Sequence, residues 1–146
     1  MENSRARMPI AVTHDGGLRF AAQVRSHRVL TDQSAHAGGE DSAPSPIELV
    51  SVALGSCVAL YVYQFCQSRG LPHDGMRIEV MPHHATSPNR IESLSVTVRL
   101  PVPLPPHAME MLERVVRSCP AHNTLVRGAP VSVSIEAGTN VLTDAT

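Results

Sequence analysis

Three cysteines, Cys57, Cys66 and Cys119, are the residues of this chain best suited to covalent chemistry. A thiolate held by a cation or a helix N-terminus is a nucleophile at neutral pH, whereas a thiol in apolar surroundings is an inert packing group. An odd number at spacings of nine and fifty-three residues makes no disulfide framework, and no CxxC pair suggests a structural zinc. Cys57 lies in the middle of an apolar run, LGSCVAL, and reads either as a small core hydrophobe or as a nucleophile with a cation beside it. All 12 basic residues are arginine, so a guanidinium or a protonated histidine must supply that cation. Cys66 is nine residues further along the same predicted helix, half a turn round and about 13 Å away. A disulfide needs Cα atoms within about 7 Å, so Cys66 cannot pair with Cys57 in one chain and reads as packing. Cys119, in CPAHNTL, stands where one helix ends and another begins, facing the free amides of the next helix with His122 in reach. That field favours a thiolate or a hydrogen-bond acceptor; a cysteine serving only as a cap fits the same place.

The absence of lysine removes Schiff-base chemistry, the GxxxxGK[ST] phosphate loop and Ser/Lys nucleophile pairs. Four aromatic residues and a formal charge of −1 do not make a stacking platform on a basic groove, so nucleic acid is not an expected partner. The 8 histidines form no HxxxH or HExxH pair, and neither a metal nor a cofactor is expected.

The elements that must position these thiols follow from the pattern. A length of 146 residues fits one domain, its core from about 10 to 136 and a frayed tail at 137–146. Strands are predicted over Ile10–Thr13, Leu18–Val24 and Arg28–Leu30, with a turn at His14-Asp15-Gly16-Gly17. A Gly/Pro-rich loop from Gln33 to Pro46 leads to a helix start: Ser45 as N-cap, Pro46 at the first position, Glu48 closing a capping box. That explanation suffices for Glu48, which lies nine residues before Cys57 and so on the opposite side of the helix. From Ile47 to about Arg69 the helix is apolar nearly all round, and Gly70 ends it. Its longest stretch without Glu or Gln is fifteen residues, which falls short of a membrane span. A helix with no polar face needs cover on every side, more than one small subunit supplies, so a homodimer is expected. Strands over Met76–Pro82 and Ile91–Pro101, helices over HAMEMLERVVRS and AHNTLVR, and a closing strand over Val131–Ile135 complete the order. MENSRARMPIAV carries no apolar stretch of signal-peptide length, and a cytoplasmic location is expected.

Pro44-Ser45-Pro46-Ile47-Glu48-Leu49, then Ala53-Leu54-Gly55-Ser56-Cys57, and sixty-two residues after that cysteine Cys119-Pro120-Ala121-His122-Asn123-Thr124-Leu125, resemble the OsmC/Ohr family of osmotically inducible and organic-hydroperoxide-resistance proteins. The order of elements from about Ile10 to Ile135 fits the same family. The resemblance implies an α+β fold in which two chains intertwine, curved antiparallel sheets enclosing long central helices. It also implies a cysteine-based peroxidase. Cys57 matches the peroxidatic cysteine and Cys119 the resolving one, joined in a disulfide after an organic hydroperoxide is reduced and reset by a dithiol reductant. In the best-characterised branches a glutamate follows the proline directly and pairs with a catalytic arginine. Here that place is Ile47 and the acid is Glu48, one residue later, as in a general OsmC-like branch. For the arginine, Arg19, Arg25 and Arg28 compete, and Arg28 is preferred because HRVLTDQ leads into the loop before the helix. The alternative is a non-catalytic dimer of the same fold that binds a small hydrophobic or electrophilic ligand in its cleft.

Overall fold

The computed structural model describes residues 8–138. Residues 139–146, most of the expected tail, lie outside the described residues, as do the first seven. The architecture is α+β in two sheets. β1 (Ala11–His14), β2 (Phe20–Val24) and β3 (His27–Thr31) form an antiparallel three-stranded sheet in sequence order. The first turn is wider than predicted, because Gly16 and Gly17 both take positive φ and Leu18 and Arg19 belong to the turn.

The 33–45 loop contains a 3-10 turn at Ala35–Ala37 that its composition did not announce. Its organiser is Asp32, buried at the end of β3. Its carboxylate accepts from the amides of Gln33 (2.8 Å), Glu40 (3.2 Å) and Ser42 (3.0 Å) and from the Ser42 hydroxyl at 2.7 Å. Gly39 lets the loop close over it: a Cβ there would run into the Gln33 carbonyl and stand 2.8 Å from Asp32 Oδ1. Four donors favour the charged form, so the carboxyl pKa falls to about 2, the Ser42 hydroxyl contributing most.

α1 (Pro46–Ser68) starts as the sequence specifies. Ser45 N–H and Oγ–H each donate to Glu48 Oε2 at 2.8 Å, and Glu48 N–H donates back to Ser45 Oγ at 3.4 Å. These bonds hold the Glu48 carboxyl below the usual carboxylate range. Gly70, at φ +62°, ends the helix turn. At 23 residues α1 is long and apolar enough to cross a membrane by length and composition, more than the fifteen-residue stretch suggested. It is instead the spine of the core, with Leu54, Val58, Val62, Phe65 and Cys66 buried along one face.

That face packs on an antiparallel hairpin, β4 (Arg77–Thr86) and β5 (Asn89–Arg99), whose Ile78, Val80, Leu94, Val96 and Val98 point at it. The strands run further into HATSPN than predicted, leaving Ser87-Pro88 as the connection. Gly55 permits close approach of α1, its missing Cβ lying 3.1 Å from Val80 Cγ2. On the opposite face of the hairpin Glu79 accepts from Arg77 (2.9 Å) and Arg99 (3.2 Å), which lowers its pKa. α2 (Pro106–Arg117) buries Leu112 against α1, and α3 (Pro120–Arg127) follows after two residues.

The expected closing strand is absent from the single chain, and α1 is left partly uncovered, as one small subunit was expected to leave it. Val131, Val133 and Ile135 alternate as a strand should, yet they are 86%, 83% and 89% exposed and form no strand, because among the described residues no sheet edge meets them. α1 is not covered all round either: Ile47, Val52 and Leu60 are exposed. Among the described residues the three-stranded sheet packs extensively only on itself, not on α1 or the hairpin.

Candidate functional site

Cys57 is half-buried on α1, one residue before the fully buried Val58. Cys119 is fully buried and forms the N-cap of α3, because Pro120 supplies the fixed φ of the first helical position. Its Sγ accepts from the backbone N–H of His122 at 3.3 Å, the role usually taken by a serine or aspartate oxygen. α3 packs on α1, and this contact sets the Cys57 thiol near enough to Cys119 for each to bear on the ionisation of the other. Both thiols are free. Burial pushes the Cys119 pKa up and the neighbouring Cys57 adds to this, while the amides of His122 and Ala121 pull it down; the net direction is upward. The helix-terminus field expected to favour a Cys119 thiolate is therefore outweighed by desolvation. Cys66 is fully buried with its pKa raised by burial, and packs in the core as its spacing predicts.

The other two sequence candidates are elsewhere. Arg28, on β3, donates to Asp15 Oδ1 at 2.7 Å, and Arg19 donates to Glu40 at 2.7 Å. Arg25 sits in the β2–β3 turn at φ +55°. Among the described residues no hydrogen bond joins any of the three to Cys57, and their sheet makes no extensive contact with α1. Glu48 is engaged by Ser45 and lies away from the thiols. Asp32, which shapes the link between sheet and helix, was missed in the sequence; an Asp ending a strand ahead of a Gly-Gly loop was the available signal.

β5, α1 and α2 border a groove of ≈840 Å³ that includes Val58 and His122, close in sequence to the two thiols, but neither thiol itself. Leu54, Val58, Val96, Val98, Leu112 and Val116 give it apolar walls, and Arg117, Glu113 and His122 place polar groups along it. A smaller cavity of ≈330 Å³ shares Leu54, Leu94, Val96 and His122 with it. Among the described residues no cluster of His, Cys, Asp and Glu is arranged to hold a metal ion.

An α+β chain with a hairpin on a long apolar helix, and two cysteines meeting where that helix touches a short capped one, defines a narrow class. The family described as OsmC-like protein matches residues 39–134, and the chain belongs to it. Solved structures share the fold at low identity. A putative osmotic stress induced and detoxification response protein from Psychrobacter arcticus is 21% identical, with a TM-score of 0.71 over 79% of this chain and 85% of that one. An OsmC-like protein from Mycoplasma pneumoniae is 16% identical, with a TM-score of 0.69 over 81% and 86%. An organic hydroperoxide resistance protein OsmC from Legionella pneumophila is 15% identical, with a TM-score of 0.59 over 85% and 93%. No curated protein matches the chain by sequence.

Proposed function

We propose that this protein is a homodimeric, cysteine-based thiol peroxidase that reduces organic hydroperoxides in a reducing compartment, read as the cytoplasm. The observation that carries the proposal is the approach of Cys57 to Cys119 where α3 packs on α1. The Cys57 thiolate attacks the O–O bond of ROOH; with one proton taken up by the leaving oxygen, the products are ROH and the Cys57 sulfenic acid. The Cys119 thiol then attacks that sulfur, water leaves, and a Cys57–Cys119 disulfide forms. A dithiol reductant supplies two electrons and two protons to restore both thiols. A raised Cys119 pKa suits this order, because it keeps the second thiol protonated while the first reacts.

The arginine comes from the second copy in this reading. The detached three-stranded sheet, the uncovered Ile47, Val52 and Leu60 on α1 and the unpaired strand pattern at 131–135 all support an intertwined dimer. In it the sheet of one chain covers α1 of the other and brings Arg28 to Cys57, where a guanidinium stabilises the thiolate. Treating the reduced protein with cumene hydroperoxide tests the reading. A Cys57 sulfenic acid trapped by dimedone, followed by a Cys57–Cys119 disulfide on peptide mapping, is expected; both thiols intact after excess peroxide, or Cys66 in the bridge, refutes it. The apolar walls of the groove also suit a second reading, a non-catalytic dimer binding a hydrophobic ligand there, which the same experiment separates.

A further inference from the structure

The sulfur of Cys119 serves two partners. It is fully buried and accepts from the His122 backbone N–H at 3.3 Å as the N-cap of α3, and it stands near enough to Cys57 for each thiol to bear on the ionisation of the other. A covalent bond between two sulfurs is shorter than any non-bonded contact between them. The amide it now satisfies is one of the free N–H groups at a helix start, and such a group left buried without a partner is costly.

α3 is poorly placed to absorb that cost. Eight residues long, it has no buried residue, and its Leu125 and Val126 are exposed. Apart from the cap, Asn123 ties its first turn back, Nδ2 donating to the Ser118 carbonyl at 3.1 Å. His122 adds a strain of its own, because its Nδ1 is buried with no hydrogen-bond partner among the described residues. While the cap is in place it offsets that nitrogen; once the cap is gone, opening the turn gives both the amide and the ring nitrogen to water. His122 also borders the larger groove and the smaller cavity, so the turn that carries it closes part of each.

We propose that α3 is a lid worked by the Cys57–Cys119 couple. With both thiols reduced, the Cys119 cap holds the lid shut. When the disulfide forms, the sulfur is drawn off the His122 amide, the first turn of α3 swings out, and a dithiol reductant gains access to a sulfur that was fully buried. One thiolate of the reductant then attacks the protein disulfide, its second thiol closes the reductant's own disulfide, and both protein thiols return with their protons, restoring the cap. The inference rests on the thiol-pair reading above and adds how the disulfide, once made, becomes reachable.

The experiment uses an oxidant unrelated to peroxide, so that the two readings fail separately. The intact protein is oxidised with glutathione disulfide, whose S–S bond breaks as the protein's forms and which leaves as two glutathione thiols carrying the two protons. Amide hydrogen exchange is followed residue by residue by NMR in both forms. The His122 and Asn123 amides should exchange at least about fivefold faster in the disulfide form, the factor a lost N-cap carries, while Val58 and Val62 on α1 stay protected. Cys119→Ala, which removes the cap without making a bond, should show the fast exchange with no oxidant present; Cys119→Ser, which supplies an oxygen cap, should show the slow exchange with or without it. If Cys119→Ala fails to fold, the two wild-type forms and Cys119→Ser carry the test. Asn123→Ala should speed reduction of the disulfide by dithiothreitol at least about threefold, as the loss of one hydrogen bond allows. Equal exchange in the two wild-type forms, slow exchange in Cys119→Ala, or a wild-type reduction rate in Asn123→Ala overturns the lid. A protein that forms no Cys57–Cys119 disulfide at any glutathione ratio overturns the lid and the thiol pair together. A disulfide that forms with glutathione disulfide and loosens α3, but does not form with hydroperoxide, leaves the lid standing and removes the peroxidase.

Discussion

The His122 backbone N–H donates to Cys119 Sγ at 3.3 Å, so the first turn of α3 is capped by a sulfur instead of an oxygen. In the proposed reaction the bond ties the redox state of that sulfur to the geometry of a helix start. A cap normally contributes by satisfying one of the free amides, and here the same atom is the one proposed to bond to Cys57. The consequences for the rest of the molecule are open to measurement.

Arg28 is the arginine proposed to stabilise the Cys57 thiolate. Its pairing with Asp15 is exposed, about half of the Arg28 side chain being accessible, and such pairs contribute little to stability. Arg28→Met should slow the reaction of Cys57 with hydroperoxide at least about tenfold, equivalent to some 1.4 kcal/mol of transition-state stabilisation, with little change in the unfolding midpoint. Stopped-flow consumption of hydroperoxide measures it. A wild-type rate in Arg28→Met assigns the role to Arg19 or Arg25, which the same substitution distinguishes.

Glu48 should act on folding more than on rate, because its carboxylate is held by Ser45 at 2.8 Å and faces away from the thiols. Ser45→Ala should destabilise the protein by about 1 kcal/mol, the usual cost of a lost N-cap, and Glu48→Gln should destabilise it less than that while leaving the Cys57 reaction rate near wild type. Urea unfolding together with the peroxide assay decides it; a rate loss in Glu48→Gln as large as that of Arg28→Met would give the carboxylate a catalytic part.

Asp32 makes stability depend on acid. Its carboxyl titrates at about 2 in the folded chain against 3.8 for an unperturbed aspartate. A depressed folded value means that the stabilisation is complete above the unfolded value, and is lost as pH falls from about 4 toward about 2. The difference in stability between wild type and Asp32→Asn should therefore shrink over that interval, as denaturant midpoints at pH 7 and pH 3 will show. A constant difference would mean that Asp32 holds its loop without its charge. Gly39→Ala, which drives a methyl into the Gln33 carbonyl, should destabilise the same loop at every pH.

Assembly is the fourth expectation. Sedimentation should give a dimer throughout the micromolar range, and Leu60→Glu, which puts a charge on the uncovered side of α1, should weaken it and slow the peroxide reaction together. A well-folded monomer that reacts at the wild-type rate would separate activity from assembly.

Local patterns determined the start of α1, its length, the Cys119 cap and the exclusion of a Cys57–Cys66 bridge, since each depends on residues within one or two helical turns. The same is true of the β4–β5 alternation, which is set by a period of two along one segment. Tertiary structure decided the rest. The meeting of Cys57 with Cys119 spans sixty-two residues and depends on how α3 docks, and the net rise of the Cys119 pKa depends on how much water that docking removes. Val131, Val133 and Ile135 show the limit of pattern most plainly, because alternation states that a strand can form, but only a neighbouring edge supplies the hydrogen bonds that make it one, and one chain folded alone places no edge there.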